Sequence, residues 1–259
     1  MGLARGIYET MPEGVKPALR RLRALERFVP FTRARARARW IASYTDFQMA
    51  ARDRTFRRIA YFCHVNRPMR GYYFEFGCHE ANTMRQAYKH SRYLFDWTYV
   101  AFDSFEGFPE IAEIDRQEAF EPRKCATSEE AFREKVRRAG MPSDRLITVK
   151  GFYDHSLTSE LRDELLPRKA AVVYVDCDLY VSTVDVLNFI VDFLQTCTII
   201  VFGDWDCFYG DPRRGQRRAW REFRERHPDL EFEEFFAEGM AKGFIFVGPR
   251  DRMQTVIKA

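Results

Sequence analysis

Four carboxylates stand where short apolar runs of the chain end. Glu75, Asp103, Asp176 and Asp204 lie at or just past four of the five runs 72–76, 98–102, 146–149, 171–175 and 198–202. A single acid after a strand is commonly a helix cap. Four in five units instead predict a shared ligand site, because the ends of parallel strands lie along one edge of their sheet. The first unit reads YYFEFGCHEANT. Gly77 lets a ligand come close to the backbone, and the helix that follows offers free N–H donors at its start. Ala81 holds the later small position, so this is not the GxGxxG of a dinucleotide-binding loop. Glu75 would also repel a phosphate beside it. A cationic amino-acid group, such as the ammonium end of S-adenosylmethionine (SAM), suits that acid better. The second unit reads VAFDSFEGFPE. Asp103 can accept both hydroxyls of a ribose. Phe105 is placed either to lie against an adenine ring or to pack its own loop.

The fourth and fifth units carry a different chemistry. VDCDLYVST places Asp176 and Asp178 at one strand end, and FGDWD places Asp204 and Asp206 at the next. Hard oxygen ligands from neighbouring strand ends suit Mg²⁺ or Ca²⁺, so Asp176, Asp204 and Asp206 are the expected metal ligands. Asp178 has a competing role as the cap of a helix starting near Ser182. His155, in GFYDHSL, is a candidate general base, unless it is simply a surface histidine. Trp205, Phe208 and Tyr209 could wall an acceptor pocket or pack among themselves.

These side chains need a scaffold that aligns strand ends. Between the apolar runs lie helix-like stretches at 82–91, 128–139, 158–165 and 182–194, followed by another at 216–227. This βαβα rhythm, with strands apolar on both faces, predicts an α/β fold whose parallel sheet is covered by helices on both sides. Two last strand candidates, 230–236 and 243–247, flank Gly239 and predict an antiparallel pair at the sheet edge. A helix over 44–64 precedes the first strand. The chain is expected to divide into a basic arm, 1–43, and a catalytic domain, 44–259, that includes this leading helix.

Composition narrows the function classes. The 259 residues are 46% hydrophobic and 31% charged, ordinary for a soluble globular protein. No run of about 18 apolar residues occurs, so no membrane span is expected. The start lacks the apolar core of a secretion signal, and the six cysteines contain no CxxC pair. Reduced thiols in a cytoplasmic protein are the expectation. Arg20, Arg21, Arg23, Arg27, Arg33, Arg35, Arg37 and Arg39 crowd the arm. Such a stretch can meet nucleic acid or an anionic surface. The remainder lacks the basic and aromatic interleaving of a nucleic-acid platform, so nucleic acid is not the expected partner. The apolar, arginine-rich N-terminal third makes a homodimer plausible.

The segments YYFEFGC, FDSFEGFP, VKGFYDHSL and VDCDLYVST, in that order, resemble the macrocin O-methyltransferase family. The last is similar to the family's Asp-Leu-Tyr-x-Ser-Thr signature. The resemblance implies a Rossmann-like class I methyltransferase fold with a mostly parallel seven-stranded sheet. It implies SAM as methyl donor, a sugar hydroxyl of a natural product as acceptor, and a divalent metal, usually Mg²⁺. Carried over by position, Glu75, Gly77, Asp103 and Ser104 would contact SAM. Phe105, Gly151 and Phe152 are grouped with them as cofactor residues. Asp176 would be a metal ligand and the base that removes the hydroxyl proton. The family's paired acids after the fifth strand fall on Gly203 and Asp204, so one acid is replaced here unless Asp206 takes its place.

Two other functions follow from specific features. The arginine-rich arm suits a methyltransferase acting on an anionic acceptor, such as RNA or a phosphorylated glycan. The glycine at 203 suits a SAM-binding protein that has lost catalysis. A nicotinamide-dependent oxidoreductase is disfavoured by the missing phosphate loop.

Overall fold

The computed structural model describes residues 29–65 and 69–249. Arg20, Arg21, Arg23 and Arg27 lie outside the described residues. The chain divides into two compact units, one ending at Ala50 and the other beginning at Ala51. What is described of the first unit is the opening of a long helix, α1 (Val29–Val65). Alternating Arg and Ala are both strong helix formers, so the helix begins well before the expected 44. Arg33, Arg37 and Arg39 are exposed on it, as are Trp40, Ile41, Tyr44 and Phe47.

The second unit starts on the remainder of α1. Phe56, Ile59 and Cys63 recur at helical spacing and are buried. The chain then alternates strand and helix as the apolar rhythm predicts. In order come β1 (Tyr72–Phe76), α2 (Asn82–Ser91), β2 (Thr98–Asp103), α3 (Glu129–Arg138) and β3 (Leu146–Lys150). Two short helices, α4 (Tyr153–Ser156) and α5 (Ser159–Leu165), lead to β4 (Ala170–Val175). Then follow α6 (Tyr180–Ile190), β5 (Ile199–Phe202), α7 (Gly215–Arg226), β6 (Leu230–Glu238) and β7 (Ala241–Pro249).

The seven strands form one sheet in the order β3-β2-β1-β4-β5-β7-β6. The first five are parallel, and β7 runs antiparallel between β5 and β6. The late hairpin is therefore at the edge, with its second strand turned inward. Alternate strand residues feed two cores. Tyr73, Tyr99, Ala101 and Tyr174 pack with Phe56, Met84, Ala87 and Phe132 on one face. Phe74, Phe76, Phe102, Val175 and Phe202 pack with Leu187, Phe189, Phe193 and Trp220 on the other. Each fully buried phenylalanine contributes about 1.5–3 kcal/mol, so the strand positions are fixed strongly from both sides.

Strand order reverses between β1 and β4, the place where open α/β sheets bind ligands. The hydrogen-bond ladder continues one residue beyond the strands there. Gly77 N–H donates to Phe102 O at 2.9 Å, Asp176 N–H to Phe76 O at 2.8 Å and Gly203 N–H to Val175 O at 2.8 Å. Three of the positions that drew notice in the sequence thus share one edge.

Candidate active site

Glu75 sits on β1 and is completely buried. Tyr73, two residues earlier on the same face, donates its hydroxyl to Glu75 Oε2 at 2.6 Å. Oε1 has no hydrogen-bond partner. Burial pushes the Glu75 carboxyl well above its ordinary value, against the opposing pull of the Tyr73 hydroxyl. An unpaired buried acceptor costs about 1–3 kcal/mol, and an incoming ammonium would satisfy it and compensate its charge. Gly77 follows with φ +86°, and a Cβ there would lie 2.2 Å from Asp176 O. No other residue fits that turn against the next strand end. Ala81, with φ +59°, leads into α2 and offers it no side-chain cap.

Asp103 does not stand open. Its Oδ2 accepts from Cys78 N–H at 2.6 Å and His79 N–H at 3.2 Å, and its Oδ1 from Phe105 N–H at 2.7 Å. It thereby ties the Gly77 turn to its own loop. Ser104 donates to Gly107 O and accepts from Glu106 N–H, holding the same loop shut. Phe105 is buried, has φ +56° and packs on Phe132 at 5.6 Å between centroids. Gly151 N–H donates to Asp103 O at 3.0 Å, and Phe152 precedes α4. The unpaired oxygen of Glu75, the glycine cradle and these loop backbones fit the amino-acid and nucleoside parts of SAM.

Asp176 begins the second half of the site. Thr83 of α2 donates to its Oδ2 at 3.4 Å, and the Arg52 guanidinium of α1 lies 3.7 Å from the same oxygen. Its Oδ1 occupies the space a side chain at 203 would need, for a Cβ on Gly203 would fall 1.9 Å from it. Burial raises the Asp176 carboxyl, while Arg52, Thr83 and His79 pull it back. Arg52 is itself held charged: burial opposes this, but Asp176, Tyr174, Asp204 and Glu75 together raise it further.

Asp204 accepts from Asp178 N–H at 3.0 Å, and its own N–H donates to Gln216 Oε1 at 3.0 Å. Gln216 is buried and ties this turn to Val175 O at 3.0 Å. Burial, with the charges of Asp178 and Asp176, pushes Asp204 well above the carboxylate range. Asp178 rises to about 7 through burial and the neighbouring Asp176. It does not cap α6. That cap comes from Asp115, which accepts from Tyr180 N–H at 2.7 Å and Val181 N–H at 3.1 Å. Asp115 thus pins the long loop after β2 beside the site.

The expected metal trio is not assembled. Asp206 is half-exposed and ion-paired with Arg217 of α7. Asp176 Oδ2 faces Thr83 and Arg52 rather than Asp206. The atoms that do converge, within 4.8 Å, belong to Asp178, Asp204 and Cys207. Burial and the adjoining carboxylates push the Cys207 thiol up, so it keeps its proton. Two carboxylates and a soft, protonated thiol do not fit Mg²⁺, which demands a near-octahedral oxygen set. His155 stands apart too: its side chain is 84% exposed beside Asp154. Trp205 packs on Phe202 and Phe244, Phe208 is buried, and Tyr209 is exposed.

Most of this geometry, from His79 to the acids after β4 and β5, falls within a region of recognised sequence. Residues 79–231 match the model of the macrocin-O-methyltransferase (TylF) family. The chain belongs to this family. It is an O-methyltransferase that uses SAM. Glu75 and Gly77 lie just before the matched region.

No curated protein matches the chain significantly in sequence. Among solved structures, the O-methyltransferase NovP is similar at a TM-score of 0.63 and 21% identity, covering 76% of this chain and 80% of that one. The calicheamicin methyltransferase CalS11 is similar at 0.60 and 20%, covering 78% and 79%. An apo form of CalS11, described as a TDP-rhamnose 3'-O-methyltransferase, gives 0.51 and 16%, with 78% and 79% covered. At these identities the likeness shows the fold of the family.

Arg52, Asp115 and Gln216 were not among the expected site residues. Arg52 left a trace, since it stands four, seven and eleven residues before Phe56, Ile59 and Cys63 and so shares their buried stripe. Asp115 and Gln216 act through partners 65 and 12 residues away, which local spacing does not reveal.

Proposed function

We propose that this enzyme methylates a hydroxyl of a sugar, either on a glycosylated natural product or on an activated sugar precursor. The observation that carries the reading is Asp176, a largely buried carboxylate at the strand-order reversal, aimed between Thr83, Arg52 and the Gly203 notch. The description of CalS11 as a TDP-rhamnose 3'-O-methyltransferase supports the choice of acceptor.

Bound SAM would supply an electrophilic methyl group. The chain's own residues would hold it by its two ends. Glu75 Oε1 would take the ammonium, and the Gly77 turn would admit the backbone approach. The loop tied by Asp103 and Ser104 would enclose the nucleoside, with Gly151 and Phe152 on its far side. Asp176 would accept the proton of the acceptor hydroxyl as the oxygen attacks. Burial makes it a stronger base than an exposed aspartate. Alignment of the two reactants in a fixed edge supplies much of the rate. Tyr209, exposed on the loop after β5, and the segment pinned by Asp115 would line the acceptor side.

Asp176→Asn tests this reading. Transfer should be abolished while SAM still binds, as followed by calorimetry beside a turnover assay. Near-normal turnover in the variant would remove Asp176 from the base role.

A further inference from the structure

Four buried or nearly buried carboxylates, Glu75, Asp176, Asp178 and Asp204, gather at the ends of β1, β4 and β5. A carboxylate buried in such a cluster keeps its charge only beside a cation. The groups that face it come from every side of the crevice. Tyr174 of β4 lies beneath Gly203, Thr83 of α2 donates to Asp176, and Gln216 of α7 ties Asp204. His79 lies on the turn after β1 and is engaged with Thr127 at 3.2 Å. Arg52 of α1 is the cation that Glu75, Asp176 and Asp204 have in common. Its side chain is only 20% exposed, and no other carboxylate competes for it among the ion pairs of the described residues.

Gly203 makes this arrangement possible. Its backbone is ordinary, so the glycine is required for space alone. With no side chain there, the Asp176 carboxylate settles against the Gly203 Cα, and its other oxygen turns to Arg52. A carboxylate at 203 would drive Asp176 out of that position and away from Arg52.

We infer that Arg52 is the resident cation of this site and that Arg52 with Gly203 replaces a divalent metal in positioning Asp176. The inference rests on the strand-end site being the site of methyl transfer. Arg52 is a positioning residue: it acts on Asp176 and contacts no reacting atom.

The test uses the full-length protein, with Mg²⁺ as the probe. Wild-type turnover should be unchanged by EDTA, and millimolar Mg²⁺ should give no binding heat and no shift in Tm. Arg52→Gln should lose at least about 100-fold in turnover, the scale of a misplaced reacting group, and its Tm should rise with Mg²⁺ as the ion enters the vacated position. Arg52→Lys, which keeps the charge, should recover turnover to within about 10-fold of wild type and show no Mg²⁺ response. EDTA-sensitive wild-type turnover restored by Mg²⁺ would overturn the inference. So would stoichiometric Mg²⁺ binding to the wild type, or an Arg52→Gln variant that is fully active or indifferent to Mg²⁺. If Arg52→Gln does not fold, the wild-type and Arg52→Lys measurements decide alone. Failure of the sugar-acceptor reading would show separately, as absence of transfer to any sugar with the Mg²⁺ titrations unaffected.

Discussion

Replacing Gly203 with alanine adds one carbon atom at the most crowded point of the site. The new Cβ would lie 1.9 Å from Asp176 Oδ1, 2.8 Å from its Cγ and 3.1 Å from Tyr174 Cε1. Tyr174 is locked in the core, so the carboxylate is the group that must yield. To reach ordinary contact, near 3.4 Å, it must retreat by about 1.5 Å. That breaks the alignment with Thr83 and Arg52. A displacement of about 1 Å in a reacting group can cost about 100-fold in rate, so turnover should fall by at least that factor. Overpacking of this kind costs about 1–3 kcal/mol, which for a domain of this size lowers Tm by about 2–12 °C. SAM affinity should change by no more than a few-fold, since Glu75 and the Gly77 turn are untouched. The assay is turnover on a sugar acceptor beside calorimetric SAM binding and a thermal melt. A Gly203→Ala enzyme with wild-type turnover and an unchanged Tm would mean that Asp176 is not held against residue 203.

Two further substitutions address the acids. Glu75→Gln keeps a partner for Tyr73 but removes the charge, so SAM should bind about 10- to 100-fold more weakly, as for loss of a charged hydrogen bond. The unliganded variant should be no less stable than wild type, because a buried charge has been relieved; unchanged SAM affinity in titration would contradict the assignment. Asp178→Asn addresses pH. In the folded protein burial and Asp176 raise this carboxyl to about 7, from an ordinary value of 3.8. A raised carboxyl contributes stability below its unfolded value and loses it as pH rises through its folded one. Wild-type Tm should therefore fall relative to Asp178→Asn between about pH 4 and pH 7, and asparagine tolerates the φ of +58° at this position. Parallel melting curves over that range would show that Asp178 is not so perturbed.

The fold was legible because the strands are apolar on both faces and the helices are not. All five early runs become the parallel strands with shifts of a residue or two at their ends. The strand-end acids were legible for the same reason: a carboxylate interrupting an apolar run marks where the run leaves the sheet. Their individual roles were harder to read. Asp206 looked equivalent to Asp204, but Arg217 comes round on α7 and takes it. Asp178 had two readings, a strand-end ligand and a cap; its backbone turns left-handed, and Asp115 supplies the cap from far along the chain. Asp103 looked open to a ribose, whereas three backbone N–H groups already occupy it. The Gly203 departure was visible in the sequence as a missing acid. Its positive purpose, room for Asp176, needs the neighbouring strand in place.

Methyl transfer to a sugar oxygen should pass through Asp176 at this strand edge. The decisive measurement incubates the wild type and Asp176→Asn with methyl-labelled SAM and a panel of activated and conjugated sugars. Label should appear on a sugar hydroxyl with the wild type, and none with Asp176→Asn although that variant still binds SAM. Label on no sugar with the wild type, or equal labelling by both proteins, would contradict it.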